Sequence, residues 1–224
     1  MGYANVPHVS RGFHILKKLV ILDLDNTLYQ EEDYIKAVFS SFEKKYNLAP
    51  GKLVKARSQV QRDKSGDFLK EVLQAAQMYT RELHDELFDI YSAGEFDLQL
   101  PTSTVEFLGE IKRRNYLSAI LTNGVPLVQR NKIRALNLAG QVDFIFCARH
   151  EILGYEKPDP RAFQMVLEET GFKEYETVMV GDNLENDVMG ARDIGIDAFW
   201  LMGHGDGAVS DLSDIFKLID GVNL

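Results

Sequence analysis

The sequence predicts an α/β fold: a parallel sheet flanked by helices, interrupted early by a helical insertion. Three observations predict it. Leu19-Val20-Ile21-Leu22 is an apolar run of strand length that ends in acid, as a strand buried on both faces would. From Pro101 onward helical and strand patterns alternate, the signature of a parallel sheet wrapped by helices. The stretch between, 30–100, carries helical periodicity only.

In chain order, residues 1–17 hold no periodic pattern and read as an irregular leader. After the opening strand, Ile35, Val38, Phe39, Phe42 and Tyr46 recur at helical spacing, so 31–46 should be an amphipathic helix. Pro50 and Gly51 punctuate before a short polar helix over 52–62. Beyond Gly66, Asp67 is placed to cap one long helix whose stripe runs from Phe68 through Leu73 and Leu83 to Ile90. The alternating part then reads as helix 104–114, strand 117–122, helix 127–136, strand 144–148, helix 160–170, strand 177–181, helix 186–194 and strand 198–201. The expected organisation is a core domain of 1–29 with 101–224, and a second, helical domain of 30–100.

With 224 residues there is ample chain for a buried core. A net charge of −9 argues against a nucleic-acid partner, which requires a basic face, but leaves room for a small anionic substrate at a local positive site. The single Cys147 makes no internal disulfide and suits a reducing compartment. No apolar run reaches membrane-spanning length, and the N-terminus lacks a signal-peptide core. The expected setting is therefore the cytoplasm, without a membrane partner. The five histidines are scattered without zinc spacing, and Gly203, Gly205 and Gly207 lack the full dinucleotide fingerprint. Trp200 reads as core. Oligomeric state leaves no trace in the sequence.

In parallel sheets ligands collect beyond the carboxyl ends of the strands. Asp23 and Asp25, two apart at the end of the first strand, direct both carboxylates to one side. Such a pair requires a cation between them or a proton on one. Strand 117–122 leads into Thr122-Asn123-Gly124, a hydroxyl, a carboxamide and a flexible backbone able to bind an anion. Strand 177–181 leads into Asp182-Asn183, with Asp187 five residues on, and Lys157 stands before a proline turn that opens a helix. Four carboxylates, a lysine and a threonine at one edge suit a hard divalent cation with oxygen ligands, Mg²⁺ being the usual choice, beside an anionic group.

The order Asp23-Leu24-Asp25-Asn26-Thr27-Leu28, Thr122-Asn123, Lys157-Pro158 and Gly181-Asp182-Asn183 with Asp187 resembles the four motifs of the haloacid dehalogenase (HAD) superfamily, and the match spans nearly the whole chain. The resemblance implies a Rossmann-like, HAD-like core with 30–100 as a helical cap domain over the site. It implies Asp23 as a nucleophile forming an aspartyl-phosphate, and Asp25 as the acid and then the base, with the surrounding negative charge raising its proton affinity. Mg²⁺ would be held by the Asp23 carboxylate, the Asp25 carbonyl and Asp182, with Asp187 as ligand or support. Thr122 and the Asn123 amide would bind the phosphoryl oxygens, and Lys157 would neutralise phosphate and nucleophile. Asp25, which a dehalogenase typically replaces by Tyr, points away from dehalogenation.

The text around Leu121-Thr122-Asn123-Gly124, with Gln129 and Lys132 following, is similar to the capped phosphatases that include 5'-nucleotidase, N-acylneuraminate-9-phosphatase and phosphoglycolate phosphatase-like members. The implied activity is Mg²⁺-dependent hydrolysis of a small phosphorylated metabolite, a nucleoside monophosphate or sugar phosphate. A phosphomutase of the β-phosphoglucomutase type and a non-catalytic phosphometabolite-binding protein are the alternatives. Helix periodicity leaves the substrate-facing residues of the cap unassigned.

Overall fold

A computed structural model describes residues 18–60, 67–204 and 207–220; the expected leader and residues 61–66, which include the end of the second expected helix, lie outside them. The apolar run becomes β1 (Leu19–Leu22), every residue of which is buried. Period-2 alternation sends Val20 and Leu22 into one apolar cluster and Leu19 and Ile21 into another on the opposite face. Burial of each such side chain is worth roughly 1.5–3 kcal/mol, which is why so short a strand can stand at the centre of a sheet.

Four helices follow: α1 (Glu31–Lys45), α2 (Lys52–Arg57), α3 (Phe68–Ala75) and α4 (Arg81–Ala93). Buried Glu43 of α1 accepts the amides of Gly51 and Leu53 at 2.8 and 2.7 Å, supplying the start of α2 with acceptors. The single long helix expected from Asp67 is two helices. Asp67 caps the first through the Lys70 amide, but Gln77 adopts a left-handed φ of 57°, and the Thr80 hydroxyl accepts the Leu83 amide to begin α4. The apolar stripe continues across the break because both helices pack on the same core.

The remainder comprises α5 (Thr102–Arg113), β2 (Leu117–Asn123), α6 (Pro126–Ala135), β3 (Phe144–Ala148), α7 (His150–Leu153), α8 (Pro160–Thr170), β4 (Thr177–Gly181), α9 (Gly190–Arg192), β5 (Asp197–Leu201), β6 (Ala208–Val209) and α10 (Asp214–Ile219). The short α7, β6 and α10 are additions to the sequence reading. Where a helix was expected over 186–194, a π-helical turn at Leu184–Met189 runs into α9. The Asn183 side chain starts this turn by accepting the Asn186 amide at 2.9 Å, and the wider turn is of the kind that occurs at functional positions in helices.

Among the described residues six strands, all parallel, lie in the order β3-β2-β1-β4-β5-β6. Residues of α5, α6, α10 and the helical block share the cluster on one face with Val20, Ile120 and Val178, while α8 and α9 cover the other face over Ile21, Leu121 and Met179. With β1 central, its carboxyl end is flanked by those of β2 and β4. None of the helices among the described residues is long and apolar enough to cross a membrane.

Candidate active site

Asp23, Asp25, Thr122, Asn123, Lys157, Asp182 and Asp187 all line one cavity of about 420 Å³ beyond the carboxyl ends of β1, β2 and β4. Thr27, which shares the two-residue spacing, does not; it is buried, and its hydroxyl has no hydrogen-bond partner among the described residues. The chain leaves β1 through Asn26 in the left-handed region, φ 61°, where the Asn26 carboxamide accepts the Glu31 amide at the start of α1.

Lys157 is the cation at the floor. Its buried ammonium donates to Asp23 Oδ1 and Asp187 Oδ1, each at 2.7 Å. Burial alone would lower its proton affinity, but Asp187 and Asp23 outweigh that and raise it, so the charge is firmly kept. Asn123 secures the lysine from behind: its side chain donates to the Lys157 carbonyl at 2.7 Å and accepts the Lys157 amide at 2.9 Å. The two ends of the Asn123 amide thus couple β2 to the loop before α8.

Asp23 and Asp25 differ in environment. Burial raises the Asp23 carboxyl to about 7, with Lys157 opposing the rise and Asp187 and Asp25 adding to it. Asp25 is also buried, but Lys132, Gln129 and Tyr29 overcome that and hold it below its ordinary value. The expectation that surrounding negative charge raises Asp25 is therefore corrected. Lys132 of α6 donates to both Asp25 oxygens at 2.9 and 2.8 Å. It is Asp23, which shares its one lysine with Asp187, that feels the crowding.

Asp23, Asp182 and Asp187 each offer a carboxylate oxygen, and the three oxygens lie within 4.8 Å of one another. Convergent, partly buried carboxylates are the donor set of a hard divalent cation, so the residues present fit such an ion. Burial, with Asp187 second, raises Asp182 to about 6, a cost that a bound cation would remove. The Asp182 backbone is anchored by the Trp200 indole, which donates to its carbonyl at 2.9 Å. Asp187 is held on both oxygens, by Lys157 and by the Asn183 amide at 3.0 Å.

Asp187 reaches this position because residue 181 has no side chain: a Cβ at Gly181 would overlap the Asp187 carboxylate. Gly181→Ala is therefore expected to push Asp187 off Lys157 and destabilise the fold by about 1–3 kcal/mol, the usual cost of overpacking. Thermal unfolding unchanged from the parent would disprove this contact.

Sequence reasoning gave no role to Gln129, Lys132, Glu31, Tyr29 or Trp200, although all five contact candidate site residues or their partners. Gln129 and Lys132 stand three apart on α6 and so share a face. That face follows Thr122-Asn123-Gly124 directly, the one local signal that could have revealed them.

A family model described as haloacid dehalogenase-like hydrolase matches residues 17–195. The chain is 43% identical to a phosphoserine phosphatase of Thermus thermophilus over 95 residues, which covers 42% of this chain and only 37% of that protein. It is 29% identical to a ribulose-1,5-bisphosphate 5-phosphatase of Halopiger xanaduensis over 197 residues, covering 80% of this chain and 82% of that one. The magnesium-bound structure of YfnB, a HAD-hydrolase candidate from Bacillus subtilis, aligns with a TM-score of 0.70 at 17% identity, over 92% of this chain and 99% of that one. At that identity the structural likeness bears on the fold alone, which it supports over nearly the full length of both chains. By its four ordered motifs and the extent of the family match, the chain belongs to the haloacid dehalogenase-like hydrolases.

Proposed function

We propose that the protein is a Mg²⁺-dependent phosphatase that hydrolyses a small phosphorylated metabolite, a nucleoside monophosphate or sugar phosphate, through an aspartyl-phosphate on Asp23. The observation that carries this reading is the Asp23 carboxylate, lining a polar cavity with its charge balanced by buried Lys157 and with Asp25 and Thr122 beside it. The related proteins named phosphatases support the same class.

In the first step Asp23 attacks phosphorus in line and the bond to the leaving oxygen breaks, that oxygen taking a proton from Asp25, which carries one in this step once it has turned from Lys132 toward the bound phosphate. In the second, Asp25 removes a proton from water as the water attacks phosphorus, and the bond to Asp23 breaks to release inorganic phosphate. Thr122 and the Asn123 amide orient the phosphoryl oxygens, and Lys157 stabilises charge that spreads over them. Mg²⁺ would be held by Asp23, the Asp25 carbonyl and Asp182, with Asp187 bracing Lys157 or binding directly; when bound it neutralises the approach of one anion to another.

The helical block 30–100 acts in this reading as a cap that excludes water and gates access. Its α1 and α4 contribute Glu31 and Tyr91 to the cavity wall. Asn26, Arg149, Asn183 and Asn186 add polar groups to the wall beside Val125 and Val128, which suits a small hydrophilic leaving group. A reducing, cytoplasmic setting fits the lone cysteine.

The test is inorganic phosphate release from a panel of nucleotides, sugar phosphates and short organic phosphates, with Mg²⁺ and with chelator. Turnover that chelation stops and added Mg²⁺ restores is expected. Inertness toward the whole panel in Mg²⁺ would overturn the reading.

A further inference from the structure

We propose that Lys132 is a positioning residue for Asp25, acting with Gln129 and Glu31 as a frame that sets the acid–base carboxylate against phosphate-binding Thr122; this rests on the hydrolase reading above. Both Asp25 oxygens are fully engaged. Oδ1 accepts from the Tyr29 hydroxyl at 2.7 Å and from Lys132 at 2.9 Å. Oδ2 accepts from Gln129 at 2.9 Å and from Lys132 at 2.8 Å. The same Gln129 nitrogen lies 2.6 Å from the Thr122 hydroxyl, so one amide sets the spacing between the carboxylate and the oxygen that would bind phosphate.

A lysine at 1% exposure is costly to bury unless it is well paired. Lys132 has a second carboxylate, Glu31, at 2.9 Å, and its ammonium lies 5.7 and 5.9 Å from the ring centres of Tyr34 and Tyr91. Glu31 and Tyr34 belong to α1, Tyr91 to α4 and Lys132 to α6. The loop after β1 and three helices therefore meet at one nitrogen.

Were neutralising Glu31 its only task, Lys132 would not also need to grip both oxygens of a carboxylate that lines the cavity. The double pairing gives it two separate functions. It holds Asp25 in place beside Thr122, and when Asp25 turns toward a reacting oxygen, Glu31 keeps the lysine where it is for the return. Side-chain direction and spacing of the acid are then set by α6 rather than by the loop that carries Asp25.

The test compares kcat/KM, which reports the first phosphoryl transfer, for p-nitrophenyl phosphate and for the best alkyl phosphate of the panel. The first leaving group departs without a proton and the second requires one. Lys132→Met is expected to lower kcat/KM for the alkyl phosphate by about 10²-fold, the lower range of general-acid contributions, and for the aryl phosphate by less than about tenfold. In an Asp25→Asn background the substitution should have no further effect, because the lysine acts through that carboxylate. Should Lys132→Met fail to fold because Glu31 loses its lysine, Lys132→Met with Glu31→Gln removes that buried charge and is read in the same way.

Equal losses on both substrates, or an undiminished additional loss in the Asp25→Asn background, would overturn the positioning role while the parent enzyme remained active. A parent enzyme inert toward both substrates would instead overturn the hydrolase reading and this role with it.

Discussion

Asp23→Asn is expected to reduce phosphate release to background on every substrate while leaving the protein at least about as stable as the parent. The amide is a poor nucleophile, and removing a covalent nucleophile outright abolishes a pathway rather than trimming it. Stability follows a different logic. Asp23 and Asp187 share one buried lysine, and burial makes the second negative charge unwelcome, which is why Asp23 is raised to about 7. An isosteric neutral amide leaves Lys157 and Asp187 as a balanced pair. The melting temperature should stay within a few degrees of the parent, since each 1 kcal/mol corresponds to roughly 2–4 °C at this chain length. Residual turnover in a purified, metal-replete variant would remove Asp23 from the nucleophile's role.

Lys157→Met should do the reverse, costing both activity and fold. The methionine matches the lysine stem in length but leaves two buried carboxylates facing one another, and breaking a buried pair in this way costs about 3–5 kcal/mol. Thermal unfolding should shift down by roughly 6–20 °C at the same scaling. Activity should fall by at least about 10²-fold, as for the loss of a group that stabilises charge in the transition state. Adding Asp187→Asn to Lys157→Met should recover part of the stability and none of the activity. A single variant that melts with the parent would mean that the two carboxylates are not held as anions around the lysine.

The strands and the residues at their carboxyl ends were legible because each signal is local. Leu19–Leu22 is apolar without interruption, and Asp23, Thr122 and Asp182 each follow such a run directly. Partnerships between distant side chains were not. Lys132 and Glu31 each sit on an amphipathic helix, 101 residues apart, and a lone lysine or glutamate there reads as a solvated charge until the helices are packed. The same distance hid the sign of the Asp25 shift, since the counter-charge lies on another element.

Backbone events were obscured for another reason. Gln77 is not a residue whose composition announces a left-handed conformation, and the apolar stripe runs through the break in phase. The π-helical turn at Leu184–Met189 has an ordinary helical sequence; its Asn183 cap and the Asp187 bond to Lys157 are visible only in the folded chain. Trp200, read as core, is partly buried and packs against it, and its indole bond to the Asp182 carbonyl could not be anticipated, because the acceptor belongs to the neighbouring strand's loop.

The central position of β1 governs how the chain can acquire its structure. Leu19 pairs with Leu117 on one side and with Thr177 on the other, so both ladders close loops of about a hundred residues or more, and contacts of such separation slow folding. During synthesis the helices of 30–100 emerge and can form first, while a fully apolar strand waits with two open edges until β2 and then β4 arrive. An open apolar edge is what recruits other chains. The feature that gathers the candidate catalytic carboxylates at the middle of the sheet thus also makes the nascent chain dependent on timely completion of its C-terminal half.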